Sequence, residues 1–186
     1  MLVNRDMKFA FIHAAKTAGI SLSHWLVDHY GFEYWGDPDA KIKGSEIVER
    51  HRFVLPADLA GWSVFTVIRE PFARWESFFL YCRLVMGSDL DWETFTRTRL
   101  DWITCQEEYA VRADYILRLD QLAQEVRRLP FVVDPVPPLP RLNVSRDQAA
   151  YAATRAEIVW TEELRERVLD RFGGDWFLWN SYQGHD

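Results

Sequence analysis

The apolar residues of this chain fall into short continuous runs, typical of buried strands, and longer stretches with helical spacing. The short runs predict strands at 8–13, 64–68 and 114–117. The helical spacing predicts helices at 21–30, 72–86, 121–129 and 162–172, with one or two more within 91–109. Because strands alternate with helices, the pattern predicts an α/β fold with a mainly parallel central sheet.

Glycine and proline residues predict where several of these elements end. Gly31 follows the first helix, and Gly173 and Gly174 follow the last, in the position that glycine favours after a helix. Pro71 suits the first position of a helix. Five prolines between Pro130 and Pro140 exclude a helix there and disfavour a strand, so this stretch predicts an ordered loop.

The stretch from Phe9 to Leu22 joins a predicted strand to a predicted helix through small residues. The N–H groups of a first helical turn lack partners within the helix, and the helix dipole favours an anion there. Lys16 adds a positive charge, Thr17 and Ser21 add hydroxyl donors, and Gly19 would let the backbone approach a ligand closely. Taken alone, the stretch also fits an ordinary strand-to-helix connection with a surface lysine.

The lysine lies in the wrong place for a nucleotide triphosphatase loop. That motif requires G-x-x-x-x-G-K-[ST], in which Lys directly follows the second Gly. Here Lys16 precedes Gly19 by three residues. A generic nucleotide triphosphatase is therefore not supported.

Composition narrows the class of protein. A length of 186 residues with 48% hydrophobic residues predicts a single globular domain over residues 1–186. The net charge of −6 argues against nucleic-acid binding, which requires a basic face. Cys82 and Cys105 form neither a metal pattern nor a disulfide framework. No metal site, signal peptide or transmembrane segment is expected, and the expected location is the cytoplasm.

A second polar motif follows the strand predicted at 64–68. It reads Arg69-Glu70-Pro71-Phe72-Ala73-Arg74-Trp75-Glu76-Ser77, with Ser77 eight residues after Arg69. An arginine at a strand end presents a fork of donors that suits a phosphate. Arg74 could add a second charge to the ligand or pair with Glu70. On this motif alone, a capping arginine and a surface serine are an equally good interpretation.

Together the two motifs resemble those of the sulfotransferases that use 3′-phosphoadenosine 5′-phosphosulfate (PAPS), most closely the carbohydrate-type, heparan/chondroitin sulfotransferase-like branch. That branch reads F-I-H-I-P-K-T-A-G-T-S and then R-x-P-x-x-R-x-x-S. This chain departs from it at Ala15, where proline is usual, and at Ile20, where threonine is usual. The resemblance implies a three-layer α/β fold related to the P-loop nucleotide-binding fold. It covers essentially the whole of a chain that is short for the family.

The resemblance also implies a role for each motif residue. The backbone of Thr17, Ala18, Gly19, Ile20, Ser21 and Leu22 would seat the 5′-phosphate. Lys16 would stabilise the leaving oxygen, and Arg69 and Ser77, with Arg74 possible, would hold the 3′-phosphate. Asn143 and Ser145 lie in a late loop that would contact the cofactor or order the loop over it. PAPS would be the donor and 3′-phosphoadenosine 5′-phosphate (PAP) the product.

An acceptor hydroxyl requires a base, and His51 is the preferred candidate. In the resembling branch, a histidine lies between the two motifs, as His51 does here. Its ordinary pKa near 6.5 suits proton abstraction at neutral pH. His13 is a second candidate, but its place at the end of a strand favours a structural role. Glu46 and Glu49 are weaker alternatives. His51 could instead be a surface residue between two arginines.

The sequence does not identify the acceptor, and it leaves two alternative functions to be considered. A small molecule, a glycan and a lipid-linked molecule fit the aromatic content equally well, and O-sulfation and N-sulfation are not distinguished. A non-catalytic module that binds PAP or PAPS would explain the departures at Ala15 and Ile20. A small-molecule kinase of the P-loop type is the other alternative, and the motif from Arg69 to Ser77 argues against it.

Overall fold

A computed structural model describes residues 1–36, 55–142 and 145–182 of the protein. Within these ranges the chain forms two compact units, one from residues 1–68 and 106–142 and the other from 69–105 and 145–182. Each unit has its own apolar core. Whether the chain behaves as a single domain stays a prediction.

The first unit contains a mixed sheet, which has five strands in the described ranges. They are β1 (Leu2–Asn4), β2 (Phe9–Phe11), β3 (Glu33–Tyr34), β4 (Ser63–Ile68) and β5 (Tyr115–Arg118). Their order across the sheet is β3-β1-β2-β4-β5. β2, β4 and β5 are parallel, with Ala10 opposite Val64 and Thr66 opposite Ile116. The three strands predicted from sequence are therefore confirmed as parallel neighbours.

The prediction of a mainly parallel sheet is confirmed only in part: the sheet is mixed, because β1 pairs antiparallel with both β2 and β3. Only four residues separate β1 from β2, and so short a turn can join only antiparallel strands. Within that turn, Asn4 accepts a hydrogen bond from the backbone N–H of Met7 at 2.9 Å.

The described part of the chain contains seven α-helices. They are α1 (Gly19–Tyr30), α2 (Pro71–Leu84), α3 (Trp92–Thr98), α4 (Glu107–Ala110), α5 (Leu122–Glu125), α6 (Tyr151–Ala156) and α7 (Glu162–Ser181). Gly31 ends α1 in the left-handed conformation, with φ 64°, as predicted. The helix predicted at 121–129 is instead α5 flanked by two single 3₁₀ turns. No helix among the described residues is long and apolar enough to cross a membrane.

Both faces of the sheet are buried within the first unit. Phe11, Phe65 and Val67 point to one face, where they pack with Leu22, Trp25 and Leu26 of α1. Ala10 and Val64 point to the other face, where Leu59 and Tyr109 cover them. This alternation follows from the two-residue period of a strand.

The proline-rich loop packs on α1, as expected of an ordered loop. Trp25 donates from its indole nitrogen to the carbonyl oxygen of Pro137 at 2.9 Å. Phe131 lies in the core against Phe9, with the two ring centroids 5.0 Å apart. The loop therefore holds a fixed position on the helix that follows the candidate anion seat.

The second unit is an all-helical cluster with an aromatic core. Trp75 of α2 packs against Phe95 of α3 at 5.0 Å between ring centroids and donates to Thr96 at 3.0 Å. Thr161 caps α7 by accepting from the N–H of Leu164 at 3.2 Å, as predicted.

The predicted end of the last helix coincides with a kink in α7. Phe172 has non-helical backbone angles, φ −118° and ψ 29°, so the helix predicted at 162–172 is confirmed, and a second helical segment follows the kink and runs to Ser181. Phe172 and Asp175 are both buried, at 2% and 1% exposed. Gly173 and Gly174 directly follow this kink, and glycine is common where a helix is kinked.

Candidate functional site

The loop after β2 adopts a strained backbone where it enters α1. Lys16 and Ala18 both have left-handed φ values, 68° and 61°, although neither is glycine. Such a conformation costs about 1–2 kcal/mol for a residue with a side chain. Ala18 is the N-cap of α1 and offers no side-chain acceptor to the first turn. Strain of this kind is found at ligand-binding loops, where the backbone is held for a purpose other than stability.

Two residues of this loop have internal roles that differ from their predicted ones. Thr17 is fully buried, and its hydroxyl donates to the carbonyl oxygen of Ala14 at 2.8 Å. Its single proton is therefore committed, so the prediction of a ligand-donating Thr17 hydroxyl is corrected. The N–H of Leu22 donates to the carbonyl of Ala18 at 3.0 Å as the first helical bond, and the Leu22 side chain belongs to the core.

Gly19 leaves room for a neighbouring side chain. A Cβ atom built on Gly19 would lie 1.7 Å from Nε2 of His13, a distance no side chain can occupy. The His13 ring also stacks on Phe11, with 20° between the ring planes. The lack of a side chain at Gly19 therefore lets the imidazole of His13 lie beside the start of α1.

Ser21 connects the start of α1 with the end of the proline-rich loop. Its hydroxyl oxygen accepts from the backbone N–H of Leu142 at 3.1 Å, and the residue is 9% exposed. The Ser21 proton is not used in that bond. Ile20 lies half-buried next to it and contributes a backbone N–H in the first turn of the helix.

The second unit contains a cavity of about 250 Å³ that collects most of the remaining predicted cofactor residues. Arg69, Ser77 and Ser145 all line it, although Ser145 is 68 residues from Ser77 in sequence. The other lining residues are Ala73, Glu76, Leu80, Arg146, Tyr151 and Arg155. The lining thus includes three arginines and three residues with a hydroxyl group, residue types that suit an anion, together with one glutamate.

Sequence analysis missed Arg146, Tyr151 and Arg155. Arg146 directly follows Ser145, so the sequence places it next to a predicted cofactor residue. Tyr151 and Arg155 both lie on α6, a helix that the pattern did not predict. Only the packing of α6 near α2 brings the two into the cavity.

Burial lowers the pKa of the Arg69 guanidinium from its ordinary value. Glu76 and then Glu70 oppose that shift, because a nearby negative charge favours the cation, while Arg146 adds to the lowering. The guanidinium still carries its charge at neutral pH, because arginine is not deprotonated in proteins. The cavity therefore holds a partly desolvated cation, whose charged neighbours are the carboxylates of Glu76 and Glu70 and the guanidinium of Arg146.

Arg74 does not face this cavity. Its guanidinium donates to the carboxylate of Asp175 at 3.2 Å and to the carbonyl oxygen of Thr104 at 2.8 Å, and it is 1% exposed. Glu70, the predicted alternative partner, instead caps α2 by accepting from the N–H groups of Phe72 and Ala73. The possible cofactor contact of Arg74 is thus replaced by a structural ion pair.

The predicted base and one loop residue fall outside the described residues. His51, with its alternatives Glu46 and Glu49, lies between residues 36 and 55, and Asn143 lies between 142 and 145. Their roles stay predictions from the sequence. Comparisons with protein-family models, with curated proteins and with solved structures give no match to this chain.

Proposed function

We propose that this protein transfers a sulfonate group from PAPS to a hydroxyl or amine of an acceptor. One observation carries the proposal. Arg69, Ser77 and Ser145, which the motif resemblance assigns to the cofactor, line a single cavity with two further arginines. A fork of guanidinium donors and serine hydroxyls suits a phosphate group. The proposal includes a fold related to that of the P-loop sulfotransferases.

The loop after β2 is the proposed seat of the 5′-phosphosulfate. Its strained residues, Lys16 and Ala18, precede a helix that has no side-chain cap and no acidic residue in its first turn. The uncapped N–H groups of Gly19, Ile20 and Ser21 would hold the phosphate. Lys16 supplies the full positive charge.

The position of the β2 loop on the sheet of the first unit suits a ligand seat. β2 and β4 are adjacent and parallel, so their carboxyl ends lie side by side. Ligands of open α/β sheets bind beyond the carboxyl ends of the strands.

Each residue then has a definite task. The bound cofactor supplies the sulfonate group that is transferred. Lys16 stabilises the negative charge that develops on the leaving phosphate oxygen. Arg69 and Ser77 orient the donor through its 3′-phosphate, which contributes alignment to an in-line transfer. His51 takes the proton from the acceptor hydroxyl.

The direct test is ligand binding followed by turnover. Titration calorimetry and thermal unfolding with PAP should show a specific complex, and ATP at the same concentration should bind more weakly. Incubation with labelled PAPS and a panel of phenolic, glycan and lipid-linked acceptors should then yield a labelled product. A preference for ATP would overturn the proposal in favour of a kinase. PAP binding without turnover on any acceptor would favour a binding module.

A further inference from the structure

A carboxylate lines the arginine-rich cavity of the second unit. Glu76 lies on the face of α2 that also presents Ala73, Ser77 and Leu80 to the cavity, at the spacing of one helical face. An acidic group is unexpected beside an anion seat, because it repels the ligand. Phosphate binding alone therefore does not explain why a glutamate lies in this cavity.

Both carboxylate oxygens of Glu76 are fixed in place. Oε1 accepts from the indole N–H of Trp160 at 2.8 Å, and Oε2 accepts from the guanidinium of Arg155 at 3.1 Å. The Glu76 side chain is 19% exposed, whereas Arg155 is 53% exposed. Arg155 offsets the charge of Glu76, so the carboxylate can face the cavity without cancelling the attraction of Arg69 and Arg146.

The carboxylate retains capacity to accept further hydrogen bonds. An ionised carboxylate has about four acceptor positions, and Trp160 and Arg155 occupy one on each oxygen. A ligand group that donates a hydrogen bond next to its own phosphate would use that capacity. A ligand with a phosphate but no neighbouring donor would leave it unused and would be disfavoured by the negative charge.

We infer that this cavity binds a phosphate monoester whose neighbouring carbon carries a free hydroxyl group, and that Glu76 accepts the hydrogen bond from that hydroxyl. The inference rests on the proposed function, in which the phosphate is the 3′-phosphate of the cofactor and the hydroxyl is the ribose 2′-OH. A carboxylate is well suited to recognise a ribose hydroxyl in this way. Glu76 is then a specificity-determining residue that the motif resemblance does not assign.

The first experiment uses the wild-type protein and two ligands of equal charge. Titration calorimetry compares PAP with its 2′-deoxy analogue, which lacks only the hydroxyl. The analogue should bind roughly 10-fold to 100-fold more weakly, as expected for the loss of a hydrogen bond to a charged group. Equal binding of the two ligands would overturn the inference and leave the proposed function intact. Binding of neither ligand would overturn both.

The second experiment assigns the effect to Glu76. In Glu76→Ala the ratio of the two dissociation constants should fall to about one, and in Glu76→Gln, the more conservative variant, it should fall part of the way. Glu157→Gln is the matched control, because it removes one negative charge from an ion pair with Arg83 outside the cavity lining, and it should keep the wild-type ratio. A wild-type ratio in both Glu76 variants would show that the hydroxyl is recognised elsewhere and would overturn the inference.

Discussion

The imidazole of His13 occupies the space that a side chain on Gly19 would need, with Nε2 only 1.7 Å from the position of a Cβ atom. A histidine at the end of the strand region and a glycine at the start of α1 are thereby locked together. The contact explains why glycine is required here, since Gly19 itself has no left-handed φ value.

Gly19→Ala should lower the free energy of unfolding by about 1–3 kcal/mol, because the added methyl group must displace the His13 ring from a packed position. Denaturant unfolding measures the change. Gly173→Ala is the matched control: it also lies in a helix, but a Cβ there meets nothing within 4 Å, so stability should stay equal or rise slightly. Combining Gly19→Ala with His13→Ala should recover part of the loss, and strict additivity would contradict the contact.

Lys16→Ala should reduce PAP affinity by at least about tenfold, since it removes the full charge of the proposed 5′-phosphate seat. Lys8→Ala is the matched control, because Lys8 also has a left-handed φ value, 56°, outside the loop. It should leave PAP binding as in the wild type. Calorimetry provides both constants. Equal affinity in the two variants would remove Lys16 from the site.

The variant Lys16→Gly distinguishes the loss of the lysine charge, which affects ligand binding, from the release of backbone strain, which affects stability. Glycine adopts a φ of 68° without the steric cost that lysine or alanine bears. The Lys16→Gly protein should therefore bind PAP as poorly as Lys16→Ala but be more stable by about 1 kcal/mol. Thermal or denaturant unfolding of the two variants side by side measures this difference. Equal stability would mean that the strain is not stored in this residue.

Arg69→Ala should abolish the preference for PAP over AMP, which lacks the 3′-phosphate. The wild-type protein should bind PAP more tightly, because the Arg69 guanidinium offers two parallel donors to that phosphate. The ratio of the two dissociation constants, measured by calorimetry, is the readout. Arg5→Ala, which removes an exposed partner of Glu33, should keep the wild-type ratio. A preserved preference in Arg69→Ala would place the 3′-phosphate elsewhere.

Asp175→Ala should destabilise the protein by about 3–5 kcal/mol, because it leaves the buried Arg74 guanidinium without its carboxylate. Glu33→Gln, in the exposed pair with Arg5, should cost no more than about 1 kcal/mol. Urea unfolding at neutral pH compares the two. Below the unfolding transition, Asp175→Ala should still bind PAP, since Arg74 lies outside the cavity lining. A loss of PAP binding with little loss of stability would restore Arg74 to the ligand site.

His51→Ala should leave PAP binding unchanged and reduce turnover by about two to four orders of magnitude, the usual contribution of general base catalysis. Steady-state assay with labelled PAPS measures the turnover once an acceptor has been found. Full activity in this variant would transfer the role of base to Glu46 or Glu49.

The sequence alone determined the features that depend on local chemistry. The three parallel strands, the cap at Thr161, the glycine end of α1 and the proline at the start of α2 follow from residue types at fixed positions. Arg69, Ser77 and Ser145 could be singled out because their spacing matched a known pattern. Such features require no knowledge of how distant parts of the chain meet.

Tertiary structure decided which polar groups remain for a ligand. Thr17 and Arg74 were candidates by residue type, but each has its hydrogen-bonding groups committed to buried partners. The space beside Gly19 is occupied by the His13 ring. Arg155 reaches the cavity only through the packing of α6. Burial and long-range pairing outweigh local preference in each case, and neither can be determined from a single sequence.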